Sequence, residues 1–426
     1  MKGKRQSLTT MSVESVCRYN EQDAYYTLCL AERLWDEALS IYDEAFVRRE
    51  CDFCRVMAEI RVQGKRLNRT ATTQRQESVI DEKKSLLKEV LWPRQIESPN
   101  DRSGLIKWLR LQGITDFQLT EKGNERLDKV GLEWFSRKKF GQEINLVAET
   151  MLTLRNYEKL MGTYLTPLLD KHSDCFDVVH PAYSVGGTTT YRLSSSHPNG
   201  QNFPRALDDI IWEPYYQADY SQAELRLAAC YAKEENLAVP FSQGMDVHSE
   251  TAMRMFGKVD GELRKIAKNI NFATLYGAGA KTVSERYNIA YEQAKDFLKL
   301  HRKVYPKLHT VTREATNMWV ARGYLILLSG KRLYATEEDK QRSYKAFNNL
   351  VQVGVGELVK DAMLRMNEEG IIMLGQKHDS IDFPLGTDMS RVKEIMESVL
   401  PDKFSQRVTP AIFMRADIEE KGHSNE

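Results

Sequence analysis

Two acidic side chains, far apart in the chain, stand where divalent cations could be held. Asp219 lies in the stretch 217–229 (QADYSQAELRLAA), after an apolar-leaning run and just ahead of a helix start. Asp379 lies in 375–383 (GQKHDSIDF), between two short apolar runs at an expected hairpin tip. Aspartates from two neighbouring strands can clamp two cations about 3.5–4 Å apart, one activating an attacking hydroxyl and one holding a leaving pyrophosphate. That is what phosphoryl transfer from a triphosphate requires. Asp382, on the same run, reads as structural.

A third stretch, 264–277 (RKIAKNINFATLYG), would supply the triphosphate's partners. On a helix, Arg264, Lys268, Phe272 and Tyr276 recur every four residues and line one face that drifts by about 40° per step. Two cations are thus followed by two rings. The cations suit phosphates, and the ring of Phe272 can cover a base or sugar. His248 could add a donor from a neighbouring helix. Taken singly, each stretch also has a plainer account: a capped helix with a turn aspartate, or a helix with Ile266, Ile270, Phe272 and Leu275 in a core.

Elements that must position these groups follow from local pattern. Ile210, Ile211, Trp212, Tyr215 and Tyr216 predict a strand ending on Asp219. Ser221 and Glu224 have the spacing of a capping box and predict a helix running on through Leu225, Leu227, Ala228 and Ala229. A helix is expected over 23–39, where Ala24, Leu28, Ala31, Trp35 and Ala38 form a stripe that needs something to pack on. Residues 46–140 read as charged helices, with basic clusters at Lys65–Arg66, Arg69 and Arg137–Lys139 that most often mark solvated faces. Another helix is expected over 143–160. Residues 179–205 turn to Gly, Ser, Thr, Asn and Pro, a strand-and-loop composition carrying Arg192, Asn199, Gln201, Asn202 and Arg205. Helices return over 236–345, broken by a strand-like apolar insert at 323–330, and 348–366 is again helical.

Composition bounds the function. The 426 residues, 42% hydrophobic, suffice for several packed subdomains. No run approaches the ~20 apolar residues of a membrane span, and the first ten residues lack a secretory segment, so a cytoplasmic or other intracellular location is expected, with no membrane partner. Sixty-one Lys plus Arg nearly cancel 60 Asp plus Glu, so any polyanion must be held by local clusters. Of six cysteines only Cys51 and Cys54 have C-x-x-C spacing; reduced, mostly buried thiols are expected rather than zinc.

Together and in order, the three stretches resemble family A DNA polymerases. DYSQAELRLAA resembles that family's first palm motif, RKIAKNINFATLYG its fingers helix and QKHDSIDF its second palm motif; TTTYRLSSSHPNGQNFP and FNNLVQVGVGELVKDAM are similar to the segments preceding the two palm motifs. The match covers roughly residues 150–425. The resemblance implies an α+β right-hand fold with an antiparallel-sheet palm, helical fingers and a helical thumb. Its expected segments are 1–45, a remnant of an exonuclease-like domain; 46–178, the thumb; 179–235, the first part of the palm; 236–347, the fingers; and 348–426, the second part of the palm.

It also implies template-directed DNA synthesis, with primer-template DNA and dNTPs as partners and two Mg2+ ions as cofactor, Mn2+ being an alternative. Asp219 and Asp379 would hold both ions, with the Tyr220 carbonyl as a further ligand, and Lys268 would serve the reaction directly. Arg264, Lys268 and His248 would bind the triphosphate, Phe272 would stack on the nucleotide and Tyr276 would sit by the templating base. Glu224 would block a 2′-hydroxyl, with Gln222 beside it in the substrate site. Arg192 and Gln352 would donate to minor-groove acceptors, which all base pairs present. Gln201, Asn202, Asn348 and His378 would also meet DNA, His378 near the primer terminus.

Several residues depart from the family pattern. Tyr191 and Gly200 replace a usual glycine and leucine, Ala273 a glycine, Tyr344 an arginine and Ser380 a glutamate. Ala223 stands where a bulkier residue walls the nucleotide pocket, which predicts looser shape selection. Phe272, where some relatives carry tyrosine, predicts poor use of dideoxynucleotides. Tyr19 and Asp23 resemble the last motif of the family's 3′–5′ exonuclease, but only 18 residues precede Tyr19, so proofreading is expected from a separate subunit or not at all. A helicase and a processivity factor stay open as partners, as does a replication or repair role. A single-subunit RNA polymerase and a catalytically dead DNA-binding factor are the competing readings; Glu224 argues against the first and the intact aspartates against the second.

Overall fold

A computed structural model describes residues 12–137, 140–188 and 192–422; Lys138, Lys139 and Tyr191 of the readings above lie outside it, as does the start of the 1–45 segment. In chain order the elements are α1 (Val13–Leu39), α2 (Glu44–Gln63), β1 (Lys65–Arg66), α3 (Arg69–Leu86), α4 (Arg102–Leu111), α5 (Lys129–Phe135), α6 (Gln142–Lys159), β2 (Val178–Val179), β3 (Ala182–Ser184), β4 (Ser194–Ser196), α7 (Arg205–Ile211), β5 (Tyr215–Tyr220), α8 (Ala223–Ala232) and α9 (Glu235–Ser242). They continue with α10 (Val247–Phe256), α11 (Gly261–Leu275), α12 (Ala280–Tyr287), α13 (Tyr291–Val304), α14 (Pro306–Arg322), β6 (Tyr324–Ile326), β7 (Arg332–Tyr334), α15 (Glu337–Gln341), α16 (Ala346–Glu368), β8 (Gly375–Lys377), β9 (Ser380–Pro384), α17 (Met389–Ser398), α18 (Asp402–Ser405) and β10 (Ala416–Lys421). The fold is α+β, helix-rich with small antiparallel sheets.

Two compact units divide the chain: Met1–Ala58, Gln222–Glu368 and Val399–Phe413 form one, and Glu59–Ser221, Glu369–Ser398 and Met414–Glu426 the other. The second unit holds the principal sheet, ordered β10-β5-β9-β8 and antiparallel throughout. Beside it, Leu67, Tyr164, Leu207, Ile211, Trp212 and Tyr215 form one apolar core; Leu105, Phe135, Val147 and Leu154, from the charged helices α4 to α6, form another with Leu91, which lies beyond the end of α3.

The expected strand start is corrected. Ile210 and Ile211 lie in α7, which begins at the N-cap Pro204 and buries Leu207 and Ile211 four residues apart, a helical spacing. Only after Pro214 does the chain become β5, burying Tyr215, Ala218 and Tyr220. The N-cap of α8 falls one residue later than the expected spacing puts it. Ser221 is tied to the sheet, its N–H donating to the Arg415 carbonyl at 2.8 Å, and Gln222, left-handed at φ 52°, caps α8 with no side-chain hydrogen bond.

In the first unit, α11 packs with α10 and α13 around Met255, Ile270, Ala273, Val283 and Ala294. Lys360 pairs with Glu50, and Arg49 with Asp361, joining α2 to α16. Helix α1 starts earlier than its stripe predicts, with Ser12 as N-cap, and buries none of its residues. The stripe finds no core among the described residues. The cysteines also differ from expectation: only Cys230 is buried, because Cys17, Cys29, Cys51, Cys54 and Cys175 lie on exposed faces.

Candidate active site

Strand register brings the two aspartates together. Asp219 is the partner of Ser380 across β5 and β9, and the Tyr220 N–H donates to the Asp379 carbonyl at 3.3 Å. Lys377 and Ser380 pair across β8 and β9, so His378 and Asp379 form a two-residue loop, with His378 left-handed at φ 57°. That loop is braced from within. Gln376 donates its amide to the His378 carbonyl, Gln201 donates to Gln376 at 2.7 Å, and the Lys377 ammonium reaches Asp208 at 2.8 Å. Gln201, expected at the DNA, is buried, holds the turn and lines the cleft beside Asp379. Asn202 is exposed beside it, its carbonyl accepting the Tyr164 hydroxyl.

Beneath the loop, Asp382 sits between Lys65, at 2.9 Å, and Gln217, at 2.8 Å. All three belong to one interior contact, since Lys65 and Asp382 are buried. Burial drives the Lys65 ammonium below its usual range while Asp382 and Asp208 hold it up.

Asp219 and Asp379 open on a cleft of about 580 Å3 shared with Arg205, His378, Asp417, Glu419 and Lys421. Burial first, then the Asp379, Asp417 and Glu419 carboxylates, push Asp219 up to about 6 against the pull of Arg205. Asp379 is raised by burial and opposed by Arg192, whose guanidinium lies 3.5 Å from its carboxylate. Burial, then Arg192, lowers His378. Two raised carboxylates on one cleft fit hard divalent cations, which would relieve their repulsion. No set of three or more His, Cys, Asp or Glu side chains converges on a point among the described residues. A cation held by two carboxylates would complete its shell from water, main chain and phosphate oxygens, as Mg2+ commonly does.

Asp417 and Glu419 escaped the sequence reading. Asp417 is the partner of Asp219 across β10 and β5, and Glu419 of Gln217, so they reach the same face. Their alternation along ADIEEK is the only local signal.

The helix expected to meet a triphosphate is α11, in the other unit. Arg264, Lys268 and Phe272 lie on it; Tyr276 is its C-cap, just beyond the last turn, stacked on Phe272 with ring centroids 6.1 Å apart. Arg264 forks onto Asp246, Nε to Oδ2 at 2.7 Å and Nη2 to Oδ1 at 3.1 Å. Asp246 also caps α10, accepting from the Ser249 N–H, and although burial works the other way these bonds hold its carboxyl well below the usual range. Lys268 is exposed and makes no ion pair among the described residues. His248, in the first turn of α10, is buried, which pushes its imidazole down to about 4 and keeps it neutral. The Tyr276 hydroxyl donates to Glu224 at 3.3 Å. Gln222 precedes α8, and Asn348 and Gln352 lie on α16; the side-chain oxygens of Gln222 and Asn348 are buried with no hydrogen-bond partner among the described residues.

A family model described as DNA polymerase family A matches residues 70–418. The chain belongs to this family. Among the relatives of this family A chain, the thermostable DNA polymerase I of Thermus aquaticus is 34% identical over 290 residues, covering 61% of this chain and 35% of that protein. DNA polymerase I of Chloroflexus aurantiacus is 27% identical over 417 residues, covering 89% of this chain and 43% of its own length. The family A chain thus spans about a third to two fifths of these relatives. Among solved structures, the POL domain of Pol1 from M. smegmatis, in complex with DNA primer-template and dNTP, has the same fold: TM-score 0.76 at 21% identity, over 92% of this chain and 73% of that one. No helix among the described residues is long and apolar enough to cross a membrane.

Proposed function

We propose that the chain is a template-directed DNA polymerase, adding deoxynucleotides to a primer 3′-hydroxyl with release of pyrophosphate. The observation that carries this reading is the meeting of Asp219, on β5, and Asp379, in the turn between β8 and β9, at one cleft. Family membership supports it. In this reading residues 46–178 act as thumb, 179–235 and 348–426 as palm and 236–347 as fingers.

Asp219, Asp379 and the Tyr220 carbonyl would hold Mg2+, which when bound acidifies the attacking hydroxyl and neutralises charge on the leaving phosphates. The chain's own groups bind and orient. Lys268 meets the triphosphate as a free cation, and Arg264 joins it by exchanging Asp246 for phosphate oxygens. Phe272 covers the nucleotide, with Tyr276 stacked behind it at the templating position. Glu224, fixed by the Tyr276 hydroxyl, occupies the space a ribose 2′-hydroxyl would need, while Gln222 lies beside it. Arg192, Gln201, Asn202, Asn348 and Gln352 would meet the DNA, with His378 near the primer terminus.

The test is primer extension by the wild type and Asp379→Ala, with deoxy- or ribonucleotides, over a magnesium titration. Asp379→Ala should lose on the order of 10³-fold or more in rate while binding DNA. Full synthesis by that variant sinks the reading, and ribonucleotide use equal to deoxynucleotide use sinks the role of Glu224.

A further inference from the structure

Behind His248 lies a buried run of polar groups that the reaction as described does not use. Asn271, 1% exposed on α11, places Nδ2 3.1 Å from His248 Nδ1 and 3.0 Å from Thr251 Oγ1, and Oδ1 2.9 Å from His301 Nε2. Thr251 gives its one hydroxyl proton to the Val247 carbonyl at 2.6 Å, and the Tyr305 hydroxyl lies 2.8 Å from the same Oγ1.

These contacts decide which way the amide faces. An asparagine has two N–H donors and one carbonyl acceptor, and a threonine hydroxyl has a single proton. With the Thr251 proton spent on Val247, Oγ1 can only accept, so the amide group nearest it must be the NH2. Reversed, Asn271 would set its oxygen against that acceptor and its NH2 against His301. Its second N–H therefore goes to His248 Nδ1. That nitrogen must carry a lone pair, and in a neutral ring the proton is then on Nε2. His248 Nε2 has no hydrogen-bond partner among the described residues.

We propose that Asn271 is a positioning residue: it holds His248 as the Nε2–H tautomer with its ring fixed, so that His248 presents a donor to the triphosphate of the incoming nucleotide. This rests on the reading above that His248 meets that triphosphate. A lone pair at Nε2 would instead face phosphate oxygens and repel them. His301, itself buried on α13, donates to Asn271 and keeps the amide from turning.

Burial is the chief cause that keeps the ring unprotonated; of the charged groups around it Asp246 favours protonation, while Arg264 and Lys268 act with burial against it. The wild-type ring thus stays neutral across the working range of the assay. The informative variant is Asn271→Asp, nearly the same shape. Its carboxylate can still accept from His301, but at pH 9 it draws the imidazole proton to Nδ1 and leaves Nε2 as an acceptor. At pH 6.5 the same carboxylate favours the doubly protonated ring, restoring the Nε2 donor. The KM for dNTP should therefore rise at least tenfold at pH 9 and fall back toward wild type at pH 6.5, with kcat changing less than KM. The wild type should show no such recovery, and neither would a variant that had merely loosened packing.

Imidazole 15N shifts of the wild-type protein report the tautomer directly, whether or not the variant folds. A proton on Nδ1 of wild-type His248 overturns the proposal, as does an Asn271→Asp KM within twofold of wild type at pH 9. His248→Ala separates the two readings. If its KM stays within twofold of wild type, His248 does not meet the triphosphate; if it rises while Asn271→Asp is silent, the contact stands and the positioning role falls.

Discussion

Asp219 and Asp417 are cross-strand partners, directly opposed on β5 and β10. Like charges in that relation repel, and Asp417 is one of the carboxylates that keep Asp219 titrating near 6. Because the folded value lies above the unfolded one, ionised Asp219 weakens the metal-free fold above pH 6, a penalty that fades as pH falls toward 4. Asp417→Asn should stabilise the metal-free protein at pH 8 by about 0.2–1 kcal/mol. It should also move the acid limb of magnesium-dependent synthesis to lower pH. Denaturation with and without Mg2+, and activity from pH 5 to 8, check both; an unmoved acid limb contradicts the coupling.

The interior pair Lys65–Asp382 makes a second prediction. Lys65→Met leaves the Asp382 carboxylate buried with Gln217 as its remaining partner, which should cost about 3–5 kcal/mol. Lys65→Met with Asp382→Leu should recover most of that, since apolar residues of similar volume often replace such pairs without loss. Urea midpoints of the single and double variants read it out. A double variant no better than the single would mean that charge is not the reason for the loss.

Ala223 is buried at the start of α8. Ala223→Ile should lower misinsertion several-fold if the small side chain loosens the nucleotide pocket. Because the site is already filled, the same change should cost about 1–3 kcal/mol of stability. Misinsertion kinetics and thermal unfolding measure the two separately, and unchanged misinsertion removes the fidelity argument.

His301 and His309, ring to ring at 3.1 Å between Nδ1 and Nε2, are held down by burial to about 3 and about 4. Their folded values lie below the unfolded value near 6.5, so the stability that their neutral forms contribute is complete above pH 6.5 and is lost as pH falls below it. Each buried imidazole should remove on the order of 2 kcal/mol between pH 6.5 and 5. Hydrogen exchange of α13 at pH 7 and pH 5 tests this, and His309→Gln should flatten the loss.

Much of the site could be read from local pattern. The turn at His378–Asp379, the helix bearing Arg264, Lys268 and Phe272 and the strand bearing Asp219 are short-range features. What escaped depends on distant pairing. Nothing near residue 417 announces that β10 lies beside β5, because the register of a sheet is set by contacts across roughly two hundred positions. Asn271 looks like any polar helix residue until α10 and α13 are packed against it. The misplaced strand at Ile210–Ile211 has a local cause: apolar β-branched residues suit both states, and only the four-residue spacing from Leu207 separates them.

Helix α1 shows how unevenly cohesion is spread through the chain. Twenty-seven residues are helical with none of them buried, although Tyr25, Tyr26, Leu28, Leu30 and Leu34 are all large and apolar. Arg48 of α2 lies over its Trp35 ring, 5.4 Å from the centroid, but with no buried residue the helix rests mainly on its own backbone ladder. Such a helix should act as a detachable handle: a protease nick between Ser40 and Asp43 should free it and leave the melting temperature of the remaining chain unchanged.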